Sequence, residues 1–212
     1  MLKHVMRRGA IKPYCGYSLT ELLVACSLAS IVISAVATQA ARSHIAYSSI
    51  QHATSVEDDI RALQSTITQH LSKAGFVYSP NTLSPFGATT IENTVFEITT
   101  GHRANEPENS CVTFSYDKNK DGVVSQAQGE FFGYRLHDNA IEYRVAGHSC
   151  IQSGWYDLTD TQTTVATKFM VNRRHSSSWG SAYEIEIELY SKVDPTVKSA
   201  RTFIVEAVNA YY

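Results

Sequence analysis

Charge is missing from one long stretch of this chain. Residues 22–41 read LLVACSLASIVISAVATQAA, without a single acid or base. Proline and glycine are missing from a longer stretch, residues 17–74. Cysteine is scarce, four in 212 residues, and no two lie at zinc-ligand spacing. The eight histidines show no HExxH or paired-ligand spacing. No nucleophile-elbow sequence surrounds a serine, and no glycine-rich phosphate loop is present. The chain therefore carries none of the motifs of a zinc finger, a zinc protease, a serine hydrolase or a nucleotide-binding enzyme, and nothing in it argues for catalysis.

What is there begins with a basic segment. Lys3, Arg7, Arg8 and Lys12 lie in the first sixteen residues with no acid among them, so the rest of a chain of net charge −2 is distinctly acidic. Such a body has no global attraction for nucleic acid. The uncharged stretch that follows spans about 30 Å as a helix, the thickness of a bilayer's hydrocarbon core. Its basic flank keeps the N-terminus cytoplasmic and sends the C-terminal body across the membrane. An ordinary secretory signal fails on order, because it is cleaved after its apolar region and residues 1–16 have none of their own. A lipoprotein reading of Cys15 fails likewise, since Lys12, Pro13 and Tyr14 precede it.

Beyond Arg42 the helical pattern continues with a polar face. Ala53, Val56, Ile60, Leu63, Ile67, Leu71 and Ala74 recur at spacings of three and four. Gly75 is placed to end the run. One helix of nearly sixty residues is predicted: a membrane or filament-core half over 17–41 and an amphipathic half over 42–75. The remainder, 76–212, reads as a β-rich domain. Strand candidates are residues 94–99, 111–116, 131–136 and 140–145, between Gly, Asn, Asp and Pro. In residues 183–189, Tyr183, Ile185, Ile187 and Leu189 alternate with three glutamates, which means one buried and one wet face. Asp194-Pro195 turns the chain, and residues 201–208 return as an antiparallel partner. Length and 43% apolar composition suffice for a real core.

Cys111 and Cys150 are the only cysteines in this polar body. In an exported domain they read as a disulfide, worth roughly 4 kcal/mol by loop-closure entropy before strain. The alternative is two buried free thiols.

Gly16-Tyr17-Ser18-Leu19-Thr20-Glu21-Leu22-Leu23-Val24 joins the basic leader (residues 1–16) to the apolar helix. This resembles the processing site of type IV prepilins: a glycine, an aromatic first mature residue, and a glutamate at the fifth mature position. The resemblance implies cleavage by prepilin peptidase between Gly16 and Tyr17 and N-methylation of Tyr17. It further implies a pairing of Glu21 with the Tyr17 amine of an adjacent subunit during assembly. A carboxylate at the edge of an apolar segment is costly and asks for such a partner. Tyr17 replaces the commoner phenylalanine, and Ser30 and Thr38 stand where major pilins often carry glycine or proline. Further along, Cys111 to Asp121-Gly122, then residues 132–136, Cys150 and Gly154-Trp155, resemble the PilW-type minor pilins. The fold implied is α+β, a long N-terminal helix packed on an antiparallel sheet domain. The implied function is structural, in priming a pilus or forming its tip. The implied partners are the peptidase, other major and minor pilins, and the inner-membrane assembly machinery. A secretion pseudopilin and a tip module that captures DNA or a surface are the alternatives.

Two weaker patterns remain. Asp117-x-Asn119-x-Asp121-Gly122 reproduces the start of an EF-hand-type calcium loop, with the Val123 carbonyl as a further ligand. Gln128 stands where the closing glutamate belongs, and Glu130 is its substitute; a polar hairpin turn is the competing reading. No cofactor is required, and calcium is the one ion suggested. Arg173, Arg174 and nearby Trp179 offer phosphate contacts and a stacking surface for DNA, against solvated loop charges as the blander account.

Overall fold

The computed structural model describes residues 16–78, 98–177 and 180–209. Most of the basic leader, part of the first strand candidate (94–97) and Trp179 lie outside the described residues. The chain divides into two compact units, Met1–Tyr47 and Ser48–Tyr212. Helix α1, Leu19–Leu71, begins in the first and ends in the second.

In the first unit, α1 is unbroken through Ser30 and Thr38. Its hydroxyls bond back to its own carbonyls: Ser27 to Val24, Ser30 to Ser27 and Ser34 to Ser30 at 2.8 Å each, and Thr38 to Ala35 at 2.9 Å. Each polar side chain is thus satisfied without leaving the helix. Every residue from Leu19 to His44 is exposed. This part of the helix is long and apolar enough to cross a membrane.

In the second unit the amphipathic stripe closes a core. Val56, Ile60, Leu63, Ile67 and Leu71 are no more than 3% exposed, as the three-and-four spacing predicts. After Leu71 the chain makes a turn, and Gly75 at φ 79° ends it in a left-handed conformation. The stripe packs with two antiparallel sheets. The first is ordered β1-β2-β3-β4-β5: Thr99–Gly101, Cys111–Ser115, Phe131–His137, Ala140–Tyr143 and Tyr156–Asp157. The second is ordered β6-β7-β8: Thr164–Ser177, Gly180–Ser191 and Lys198–Ala207. Val112, Phe114, Tyr134 and Ile141 of the first join Phe169, Val171, Ile185, Ile187 and Leu189 of the second in one cluster. The architecture is α+β, with a helix packed on sheets.

The sheets meet along β6. Its Ala166 and Val171 N–H groups donate to the Asn139 and Asn109 carbonyls at 2.8 and 2.9 Å. The helix is fastened to the second sheet by side chains. Thr164 donates to Asp59 at 2.6 Å, and Glu57 accepts from Ser199 at 2.8 Å and pairs with Arg201. β7 alternates without a break, with Ser181, Tyr183, Ile185, Ile187, Leu189 and Ser191 buried. β6 corrects the sequence reading, which took Arg173 and Arg174 as loop residues. They sit on the exposed end of a fourteen-residue strand.

Candidate functional site

The predicted processing segment lies at the start of α1. Residues 16–18 are not helical, and all three are exposed. Nothing lies within 4 Å of where a Gly16 side chain would begin, and Tyr17 is 87% exposed. A non-helical, uncovered backbone around a glycine is what a protease needs in order to approach a peptide bond. The helix then starts on the glutamate half of a capping box, which sequence reasoning missed, while the Ser18 hydroxyl bonds Thr20 Oγ1 at 3.0 Å. Ser18 is the N-cap, its carbonyl accepting from the Leu22 N–H at 3.1 Å. Glu21, three residues on, reaches back so that Oε2 accepts the Ser18 N–H at 3.4 Å. Ser-x-x-Glu before an apolar run is the sequence signature of this cap. Glu21 therefore has a role within its own chain, and a carboxylate in the first turn also suits the helix dipole.

Cys111 and Cys150 form a disulfide, with their Cα atoms 6.0 Å apart. Around it is a hub that the sequence did not suggest. Arg135 of β3, opposite Cys111 in the register, is 1% exposed. Its Nε donates to Glu142 Oε2 at 2.5 Å, and its Nη1 to the Cys150 and Gln152 carbonyls at 2.7 Å each. The guanidinium lies over the Trp155 ring at 4.5 Å, and the Trp155 indole N–H donates to Ser149 at 3.2 Å. Glu142 follows from pairing β3 with β4, because it sits opposite Arg135. The segment carrying Cys150 is thus clamped to the sheet covalently and by hydrogen bonds from a buried arginine that Glu142 pairs from the next strand.

The Asp117–Glu130 loop is closed by backbone amides. Asp117, 2% exposed, accepts the N–H groups of Tyr78, Lys120 and Gly122 at 3.0, 2.6 and 2.9 Å. Glu130, fully buried, accepts those of Lys118, Asn119 and Ser125 at 2.8, 3.2 and 2.9 Å. Asp121 accepts the Val123 N–H at 2.9 Å and the side chains of Asn119 and Gln128, both at 2.9 Å. These hydrogen bonds hold the Asp121 carboxyl below the usual range, that from Asn119 first. Gly122 has φ 87°, and a Cβ there would lie 3.0 Å from the Tyr78 carbonyl, so both the turn and the close approach need glycine. The four carboxylate oxygens of Asp117 and Glu130 are turned to N–H donors. Among the described residues, the three-residue His, Cys, Asp or Glu grouping close enough for one ion is a different one, Glu106, His137 and Asp138.

On the second sheet, Arg174 makes a two-point ion pair with Glu184, and Lys168 pairs with Glu186 at 2.6 Å. Arg173 is exposed at the same end of β6. The alternating glutamates of β7 thus compensate charges that the sequence presents as a basic run. Elsewhere, an apolar groove of about 460 Å³ runs beside α1, lined by His70, Phe132, Tyr143, Tyr156 and Leu158. At its inner end His70 Nδ1 and the Tyr134 hydroxyl share a 2.6 Å hydrogen bond. Burial, then Lys73 and Lys118, lower the His70 pKa, and burial pushes the Tyr134 hydroxyl up.

Residues 49–207, most of the second unit, match the family model of prepilin peptidase-dependent protein B. The Escherichia coli (strain K12) protein of that name is 22% identical over 197 residues, 92% of this chain and 96% of its own length. Neither match is to an enzyme family. No solved structure matches the chain significantly. The model's coverage of the sheets and the helix that packs on them decides the matter: the chain belongs to the prepilin peptidase-dependent protein B family.

Proposed function

We propose that this chain is a minor pilin-like subunit, cut by prepilin peptidase between Gly16 and Tyr17, N-methylated at Tyr17 and built into a filament through its apolar helix. The observation that carries the reading is the order at the start of α1. An exposed non-helical Gly16-Tyr17-Ser18 comes first, Glu21 lies in the first turn, and an uncharged exposed helix follows. Cleavage there leaves the apolar run as a permanent anchor in the inner membrane, with the second unit on the periplasmic side. The family name supports dependence on the peptidase. The PilW-type likeness from Cys111 to Trp155 supports a low-copy role, priming assembly or standing at the tip.

In this reading Glu21 changes partner. In the free subunit it caps its own Ser18 N–H; in the filament it takes up the Tyr17 amine of a neighbour, a charge-assisted contact that a neutral amide does not match. The DNA-capture alternative gains nothing from the second sheet, where Arg174 is already paired with Glu184. No cofactor enters this reading, and the Asp117–Glu130 loop acts as a self-closed turn.

The test is co-isolation with other pilin-like subunits from membranes. Glu21→Ala is expected to stay membrane-bound and folded while its recovery with partner subunits falls severalfold. Undiminished recovery of Glu21→Ala contradicts the assembly role.

A further inference from the structure

We propose that the apolar groove beside α1 binds a small aromatic carboxylate, its ring against the groove's tyrosines and its carboxylate on Arg144. The groove's volume of about 460 Å³ falls in the range of clefts that hold small ligands. Its walls come from successive strands: Phe132 from β3, Tyr143 from β4 and Tyr156 from β5, with Leu158 just beyond. Tyr143 and Tyr156 are partners in the β4–β5 register, with ring centroids 5.8 Å apart and stacked. They remain 40% and 58% exposed. Aromatic rings pack best on other rings, offset or edge-on, so a planar ring is the shape that this half-open wall takes best.

Charge decides the rest of the ligand. No acidic residue lines the groove, and Arg144 brings its one formal charge. Arg144 is half-buried, and its main-chain N–H donates to the Gly133 carbonyl at 2.9 Å. A Cβ on Gly133 would lie 3.2 Å from Arg144 Cδ, so the glycine leaves room for the arginine stem. Nε donates to the His148 carbonyl at 2.6 Å, Nη2 to that of Gly147 at 2.8 Å and Nη1 to that of Phe132 at 3.3 Å. A guanidinium has five N–H groups, so one remains on each terminal nitrogen. The three carbonyls supply dipoles but no countercharge. Arg135, Arg174 and Arg201 each have a glutamate partner, whereas among the described residues no carboxylate lies within ion-pair distance of Arg144. Burial lowers its pKa, as it does for a cation short of an anion. A carboxylate completes such a group, because arginine holds it through charge-assisted hydrogen bonds from both terminal nitrogens.

The full chain in maltoside micelles is titrated with para-fluorophenylacetate and, separately, with the neutral para-fluorophenylacetamide, both followed by fluorine NMR linewidth. The amide enters micelles at least as readily, so the excess of carboxylate binding over amide binding reports the protein site. The expected result is saturable binding of the carboxylate at least about tenfold tighter than that of the amide. Arg144→Gln brings the carboxylate down to the level of the amide. Tyr156→Ala, at an exposed position that the fold does not depend on, weakens both ligands severalfold. The proposal is overturned if the carboxylate shows no saturable binding, or if both variants bind it as wild type does. Equal saturable binding of the two ligands would also overturn it, and would mark the groove as an apolar seat for another protein chain.

Discussion

Along α1, the side chains of residues 19–44 are all exposed, whereas Val56, Ile60, Leu63, Ile67 and Leu71 of the same helix are all but closed to solvent. The first region returns the hydroxyls of Ser27, Ser30, Ser34 and Thr38 to its own carbonyls and leaves its apolar surface unburied. The second buries its apolar stripe and satisfies its polar atoms through distant partners: Asp59 with Thr164, Glu57 with Ser199, His70 with Tyr134. The first region is long and apolar enough to cross a membrane, and the second carries the hydrophobic core.

The comparison breaks most readily at Arg135. Arg135→Met leaves Glu142 buried without its partner and frees the Cys150 and Gln152 carbonyls. Chemical denaturation of the second unit within the full chain is expected to show a loss of about 3–5 kcal/mol. Membrane association, which the proposed function places in the first region, is expected to be unchanged. A loss below about 1 kcal/mol would mean that the disulfide alone holds the segment.

Next in size is Glu130→Gln. An amide offers one acceptor oxygen where three N–H groups now find a carboxylate, so a loss of about 2 kcal/mol is expected from the denaturation midpoint. Calcium against chelator is expected to leave the melting temperature of wild type where it was, because six amides already occupy Asp117 and Glu130. An upward shift with calcium that Asp121→Ala abolishes would instead establish the loop as an ion site.

How much of this was legible depends on whether the signal was local. The uncharged run, the three-and-four stripe and the strict alternation of β7 are one-dimensional patterns, and each became the element it predicts. β6 did not announce itself, for a physical reason. Its register shifts between Ala166 and Lys168, so the buried positions change parity from Thr164 and Ala166 to Phe169 and Val171. A second shift between Arg173 and His175 made its end look like a basic loop. Arg135 was invisible because arginine is seldom buried and its partners lie on other strands or past a disulfide. The Ser18–Glu21 cap was legible in the sequence but stood in the shadow of the processing motif that shares those residues.

A smaller effect sharpens the comparison through pH. Burial, then Lys73 and Lys118, hold His70 below its ordinary pKa of 6.5 in the folded second unit. Above that value both folded and unfolded chains carry it neutral, and its contribution is fully present. As pH falls below 6.5 the unfolded chain takes up the proton first, so stability declines through the folded pKa. Denaturation midpoints at pH 7.5 and 5 are expected to differ less in His70→Gln than in wild type. An identical pH dependence in the two would remove His70 from the account.

The division of labour along α1 has its most direct test at the junction before it. Intact-mass and N-terminal peptide spectrometry of the full chain, expressed with and without prepilin peptidase, reads the outcome. A chain that begins at N-methylated Tyr17 only when the peptidase is present, and keeps the apolar helix, is the predicted result. A chain still beginning at Met1 with the peptidase present, or one cut beyond Ala41, would contradict it.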